Sequence, residues 1–136
     1  MVLKEYAYTA QSGPGYNGVV YRPLIEVKVS NKTGEMSLLA LIDSGTDSTL
    51  VNAEIAKTLY IEPNTCQKVK VGGVGENIGF LCNVTLSIDD FSESMEIPVI
   101  FVENLPFDAL LGQRHFFERF QINFEKDKNR FFLGLV

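Results

Sequence analysis

The sequence predicts a mainly β domain, a closed or half-closed β-barrel with two short helices. Many short segments of alternating apolar and polar residues are separated by turns rich in Gly, Asn and Asp, which is the pattern of consecutive β-strands. Only two stretches have the periodicity of a helix. The length of 136 residues suits one domain, and the sequence has no internal repeat and no low-complexity segment. We therefore expect residues 1–136 to form a single domain.

The first third of the chain is predicted to consist of strands that lead to a carboxylate. Residues 1–8 alternate as a strand, and residues 11–18 form a glycine-containing loop. A second strand over residues 19–29 contains Pro23, which suits an edge strand or a strand start because proline has no amide proton. A turn follows, and the third strand is an apolar run that ends at Asp43.

The middle of the chain is predicted to hold one helix and several strands. Asn52 has the side chain of a helix N-cap, and the stretch from there to Leu59 has apolar residues on one face. Further strands are expected at residues 69–71, 78–88, 94–102 and 108–112.

The end of the chain is predicted to form a second helix and a closing hairpin. The helix covers residues 113–120 and turns three aromatic side chains toward the core, namely Phe116, Phe117 and Phe120. The hairpin joins residues 121–125 to residues 130–136 through a polar turn.

Composition argues against several classes of function. The net charge of −5 arises from 12 basic and 17 acidic residues without a cluster of Lys or Arg, so we expect no nucleic-acid partner. No apolar run approaches the roughly 18 residues of a membrane-spanning helix, and no signal-peptide pattern is present at the N-terminus. We therefore expect a cytoplasmic protein with no membrane partner.

The cysteines and the histidine offer little catalytic chemistry. Cys66 and Cys82 lack metal-ligand spacing, so packed free thiols are favoured over a zinc site or a disulfide framework. A serine or cysteine hydrolase needs a base beside its nucleophile. His115 is the single histidine, and nothing in its surroundings marks it as that base.

The strongest candidate site is the tripeptide Asp43-Ser44-Gly45 at the end of the apolar run. All three residue types favour turns, so an ordinary turn is the simplest explanation of the tripeptide alone. Burying an ionised carboxyl without partners is costly, however, so a carboxylate at the end of a core strand favours a functional site.

Three blocks in a fixed order resemble the retropepsins, the dimeric aspartic proteases of retroviruses and their cellular relatives. The blocks are residues 22–27, residues 41–47 and residues 108–112, and the similarity covers residues 18–126. The resemblance implies an acid-protease β-barrel lobe, a polypeptide substrate, and no metal or cofactor. Aspartic proteolysis needs two carboxylates that share one proton. Because this chain carries one such motif, the second Asp43 is expected from a second copy in a two-fold homodimer.

The resemblance also implies roles for the residues around Asp43. Ser44 would brace the two active-site loops across the axis, Gly45 would let the substrate backbone approach closely, and Thr46 would support the loop. Asp47 would meet the peptide main chain and pair with Arg22 of the other subunit.

Two further segments have expected roles in substrate binding and dimerisation. The glycine-rich segment resembles the family's flap tip, in which Gly72, Gly73, Val74 and Gly75 would close over the substrate, although an ordinary hairpin turn has the same composition. Leu110 would line a side-chain pocket, and plain core burial fits it almost as well. Residues 121–136 could serve as a dimerisation hairpin with an apolar contact made by Phe131, Phe132 and Leu133.

Some features depart from the family pattern, and two other functions compete. Gln113 stands where many viral members carry an arginine after the glycine. A binding module that kept the dimer and lost catalysis would have the same fold. A nucleotide-binding or redox domain built on the glycines and cysteines predicts a helix after Gly75, whereas an alternating, strand-like segment follows.

Overall fold

The computed structural model describes residues 1–72 and 77–136, and within these it is built almost entirely of short strands. The elements in chain order are β1 Lys4–Ala7, β2 Thr9–Ser12, β3 Val19–Arg22, β4 Leu24–Ser30, β5 Glu35–Ile42, β6 Leu50–Asn52, α1 Ala53–Thr58, β7 Gln67–Val71, β8 Asn77–Ser87, β9 Ser94–Val102, β10 Ala109–Leu111, β11 Phe120–Glu125 and β12 Arg130–Leu135. The predicted mainly β architecture is confirmed. The short strand β6, which directly precedes the helix, was not foreseen.

The largest sheet has seven strands in the order β4-β5-β10-β6-β9-β8-β7. Strand β4 also pairs with β8, as in the register of Val29 opposite Leu86, so strands from the two sides of the sheet meet. Strand β10 runs parallel to β5, with Leu111 opposite Ile42. The residues that follow these two strands therefore emerge side by side.

The core is formed mainly by the buried faces of strands β4, β5, β8, β9 and β12. In β4 and β5 every second residue is buried, as Val27, Val29, Leu38 and Ala40 illustrate, each with 1% or less of its surface exposed. Strand side chains alternate between faces, so the apolar face is determined by the sequence pattern. Burying one such large aliphatic side chain stabilises the fold by roughly 1.5–3 kcal/mol.

Helix α1 begins and ends as its sequence predicts. The Asn52 side chain accepts a hydrogen bond of 3.1 Å from the amide of Glu54, which confirms it as the N-cap. Ile55 and Leu59 are buried. The helix stops because Tyr60 adopts a left-handed conformation with φ of 57°.

The predicted helix over residues 113–120 is wrong. Residues Gln113–Phe117 form an irregular turn in which Arg114 has ψ of 136° and His115 has φ of 68°. The extended Arg114 and the positive φ of His115 interrupt the helical backbone, and the amides of Gln113 and Arg114 bind carbonyls of a neighbouring loop. Phe116 and Phe120 are nevertheless buried, with ring centroids 5.0 Å apart.

A second sheet of three strands has the order β1-β12-β11, so the closing hairpin is confirmed. Its expected apolar dimer contact is wrong for Phe131 and Leu133, because both are completely buried within their own chain. Phe131 stacks on Tyr6 with ring centroids 5.3 Å apart. Of the three residues proposed for that contact, Phe132 alone is partly exposed.

The expectation of free thiols is also wrong, since Cys66 and Cys82 form a disulfide with Cα atoms 5.4 Å apart. Strands β7 and β8 pair with Gln67 opposite Leu81, so the next pair along the ladder is Cys66 and Cys82. Directly opposed strand residues lie within the reach of a disulfide. The pairing follows from the register of the two strands, which the spacing of the cysteines in sequence does not reveal.

In the part of the chain that the structure describes, no helix is long and apolar enough to cross a membrane.

Candidate active site

Asp43 lies at the point where β5 leaves the core. Its amide donates a hydrogen bond of 3.0 Å to the carbonyl of Leu111, and its carboxylate oxygen Oδ1 accepts one of 2.9 Å from the amide of Gly45. The residue is half-buried. The carboxylate is therefore held by its own loop and stays accessible from one side.

The loop that follows Asp43 is braced by the segment after β10. The amide of Gln113 donates to the carbonyl of Thr46 over 2.9 Å, and the amide of Arg114 donates to the carbonyl of Asp47 over 2.8 Å. The side-chain amide of Gln113 donates to the carbonyl of Ser44 over 2.8 Å. The turn of residues 112–114 thus fixes the backbone of the Asp43 loop at three points.

Gly112 is the residue that lets these two segments approach so closely. A Cβ atom on Gly112 would lie 2.5 Å from the carbonyl oxygen of Ser48 and 2.6 Å from that of Thr46. Real Cβ atoms do not approach backbone oxygens so closely, so only glycine fits. A glycine directly after a short apolar strand suggests a close backbone contact. The local sequence does not reveal that this contact is with the loop after Asp43.

The residues predicted to support the loop differ in exposure. Ser44, Gly45 and Asp47 are exposed. Thr46 is half-buried, and its hydroxyl donates a hydrogen bond of 3.2 Å to the carbonyl of Ser48. Thr46 therefore contributes to the shape of the loop within its own chain.

A cleft of about 450 Å³ lies between this loop and the end of β7. The loop contributes residues 45–48, and β7 with the residue after it contributes residues 70–72. Leu50, Ile100 and Arg114 complete the lining. Four predicted site residues are thus brought together in one cleft, namely Gly45, Thr46, Asp47 and Gly72.

The structure places the other predicted site residues elsewhere. Leu110 is half-buried in the middle of the sheet and is not among the described residues that line the cleft. Gly73, Val74 and Gly75 lie outside the described residues.

Arg22 is held by two contacts within its own chain. Its Nη1 atom donates a hydrogen bond of 2.9 Å to Oε1 of Gln11, and its guanidinium lies 5.4 Å from the ring centroid of Phe107. Within residues 1–72 and 77–136 it forms no ion pair with Asp47 or another carboxylate.

Asp108 is a positioning residue that sequence reasoning did not single out. Its Oδ2 atom accepts a hydrogen bond of 3.1 Å from the amide of Leu39 in β5. Its carbonyl accepts one of 2.8 Å from the amide of Asn52 at the end of β6. Asp108 therefore ties both neighbours of β10 together at the start of that strand, the end opposite to Asp43. The available signal was a carboxylate directly before a short apolar strand.

The described residues contain no group of three or more His, Cys, Asp or Glu side chains placed to hold a metal ion. The chemistry that the site offers is that of the Asp43 carboxylate, which is fixed by backbone hydrogen bonds beside a cleft.

Comparison with known proteins identifies a family for this chain. The profile of the family described as retroviral aspartyl protease matches residues 19–124. A search of curated protein sequences finds no match.

Solved structures of three proteases have a similar fold. A retropepsin-like aspartic protease from Rickettsia conorii has a TM-score of 0.64 at 17% identity, covering 97% of this chain and 91% of that chain. The EIAV protease complexed with an inhibitor has a TM-score of 0.52 at 21% identity, covering 68% of this chain and 82% of that chain. The retroviral protease-like domain of Ddi1 from Leishmania major has a TM-score of 0.51 at 13% identity, covering 83% of this chain and 94% of that chain.

These structural similarities establish the fold, and the family profile covers well over half of the chain. The resemblance inferred from the three sequence blocks is confirmed. This chain has the retropepsin-like fold and belongs to the retroviral aspartyl protease family.

Proposed function

We propose that the chain is an aspartic endopeptidase that cleaves extended polypeptides as a homodimer. The observation that carries this proposal is the placement of Asp43 at the end of a core strand, where the amide of Gly45 orients its carboxylate and residues 45–48 of the same loop line a cleft of about 450 Å³. The family to which the chain belongs supports the same chemistry. Each subunit supplies one Asp43, and the two carboxylates meet at the two-fold axis.

The two carboxyl groups act as general base and general acid because they share one proton. Like charges a few ångströms apart cannot both ionise, so one Asp43 is a carboxylate while the other is a carboxylic acid. The carboxylate takes a proton from a water molecule whose oxygen attacks the scissile carbonyl carbon, and the acid donates its proton to the carbonyl oxygen. The C–N bond of the tetrahedral diol then breaks as the amine nitrogen receives a proton from one Asp43 and a hydroxyl of the diol returns a proton to the other. No covalent intermediate forms, and the dyad ends with its single proton.

The proposed dimer also gives roles to Arg22, Asp47 and Ser44, whose functions a single chain does not explain. The Arg22 guanidinium is held beside Phe107 and Gln11 without a carboxylate partner among the described residues. It is therefore available to pair with Asp47 of a second copy. Ser44 is exposed next to Asp43 and braces the two loops across the axis.

The substrate lies in the cleft and is clamped from the side of β7. Gly72 lines the cleft, and the family resemblance assigns a substrate-binding role to Gly73, Val74 and Gly75, which lie outside the described residues. Asp47 meets the peptide main chain.

Cleavage of a quenched mixed-peptide library by the wild type and by Asp43→Asn, from about pH 4 to 7, tests the proposal. We expect the variant to lose at least about a thousandfold in kcat because it cannot supply the shared proton dyad. Wild-type activity should fall faster than linearly on dilution below the dimer dissociation constant. A variant that cleaves as well as the wild type contradicts the proposal. A wild type that is dimeric yet inert at every pH supports a peptide-binding module instead.

A further inference from the structure

The Cys66–Cys82 disulfide joins β8 to β7, the strand whose far end lines the cleft. Cys66 directly precedes β7, and Cys82 lies opposite it in β8, with Cα atoms 5.4 Å apart. Strand β7 is at the end of the strand order of its sheet and pairs with β8 alone in the described chain. The disulfide therefore crosslinks an edge strand to its single neighbour.

The other end of β7 reaches the cleft. Lys70, Val71 and Gly72 face the loop of residues 45–48 across the cleft. Because β7 has five residues, its two ends are about 15 Å apart. Loss of the disulfide at Cys66 therefore affects the position of the cleft wall through one short strand, β7.

Strand β7 has few other contacts to hold it. Its residues are exposed or half-buried, and none is fully buried. A strand with so little buried surface is among the first to open locally. A one-residue slip against β8 would also turn Val71 to the other face of the sheet, because strand side chains alternate. The disulfide prevents this slip, since it fixes Cys66 opposite Cys82.

We propose that Cys66 and Cys82 are positioning residues whose redox state controls peptide binding in the cleft. The inference rests on the proposed function, because it concerns the binding of a peptide substrate. Both sulfur-bearing residues are half-buried, so a small dithiol can reach them. Reduction transfers two electrons and two protons from the dithiol, which becomes a disulfide, and leaves two cysteine thiols. Strand β7 is then held by its ladder hydrogen bonds alone.

Kinetics of the oxidised and reduced wild type, beside the Cys66→Ser/Cys82→Ser double variant, test this proposal. With a peptide that the oxidised enzyme cleaves, reduction should raise KM on the order of tenfold and change kcat far less, because the Asp43 loop is untouched. Reoxidation should restore the original KM. The double variant should resemble the reduced enzyme and should not respond to dithiol. A KM that is the same in both redox states, or a response of the double variant equal to that of the wild type, overturns the proposal.

A second measurement decides the positioning role independently of activity. Hydrogen exchange of the amides of residues 67–71 should become faster on reduction, in the wild type and equally in Asp43→Asn. Alkylation of the oxidised protein without reductant should modify neither Cys66 nor Cys82. Unchanged exchange, or alkylation of both thiols under oxidising conditions, overturns the proposal. If the wild type cleaves no peptide in either state, the proposed function fails, and exchange alone decides whether the disulfide positions β7.

Discussion

The side-chain amide of Gln113 donates a hydrogen bond of 2.8 Å to the main-chain carbonyl of Ser44, the residue next to Asp43. A single hydrogen bond of this kind contributes about 0.5–1.5 kcal/mol. We expect Gln113→Ala to lower kcat by about two- to tenfold, because the Asp43 loop loses one of its three braces. Steady-state kinetics on a peptide cleaved by the wild type measure the effect.

Gln121→Ala is the matched control for this substitution. Gln121 is also an exposed glutamine, but its side chain bonds to Asn123 within β11, away from the loop. Gln121→Ala should therefore leave kcat unchanged. Equal losses in the two variants would mean that the bond to Ser44 has no part in positioning Asp43.

Gly112→Ala should be more damaging than any change at Gln113. The new Cβ would lie 2.5 Å from the oxygen of Ser48, so the Asp43 loop must move. Overpacking of this kind costs about 1–3 kcal/mol of stability, and we expect activity to fall at least tenfold, since small displacements of catalytic groups are costly. Thermal unfolding and kinetics measure the two effects.

Gly72→Ala serves as the stability control for Gly112→Ala. A Cβ on Gly72 would meet no atom of the described residues within 4 Å, so the unfolding temperature of Gly72→Ala should stay within a degree or two of the wild-type value. If both variants lose the same stability, the close approach of Gly112 to the loop is not the cause.

Much of this fold could be predicted because its strands obey the two-residue period. The apolar run that ends at Asp43 becomes β5, and the N-cap at Asn52 is where the sequence places it. These features depend on neighbours in sequence, and local propensity and patterning encode them. Asp43 is a candidate from sequence alone because a carboxylate at the end of a core strand is costly to bury.

The errors concern contacts between segments that are distant in sequence. The three phenylalanines after Gly112 suggested a helix, but Arg114 is extended and His115 has a positive φ. The contact of this turn with the loop after Asp43 is not encoded in the local periodicity. The disulfide depends on the register of β7 against β8. An apolar residue such as Phe131 could lie in a dimer contact or in the core of its own chain. The packing of β12 between β1 and β11 places it in the core.

Phe131→Ala tests the assignment of the closing hairpin to the core of its own chain. The side chain is completely buried, so we expect a loss of about 3–5 kcal/mol in the free energy of unfolding. Phe132, on the other face of β12, is half-buried, and Phe132→Ala should cost clearly less. Denaturant unfolding at several protein concentrations measures both values. A Phe131→Ala variant that weakens dimerisation without loss of stability would restore the dimer role of that residue.

The raised pKa of Tyr6 makes the free energy of unfolding depend on pH in the alkaline range. Burial of the phenol, reinforced by its hydrogen bond and charge interaction with Asp90, raises the pKa of Tyr6 above its ordinary value of 10.0. Its hydroxyl donates to the Asp90 carboxylate over 2.7 Å. Because the folded state holds the proton more tightly than the unfolded state, this stabilisation is fully present below about pH 10 and is lost as the pH rises toward the raised value.

Tyr6→Phe should therefore be less sensitive to alkaline pH than the wild type. We expect the free energy of unfolding to fall less between about pH 9 and 11 in the variant, because a phenylalanine ring carries no titrating group. Some dependence should remain, since burial also raises the pKa of Tyr8. Tyr60→Phe is the control, because that side chain is 76% exposed and folding changes its surroundings little. Identical slopes for the wild type and Tyr6→Phe would show that the bond to Asp90 does not persist in solution.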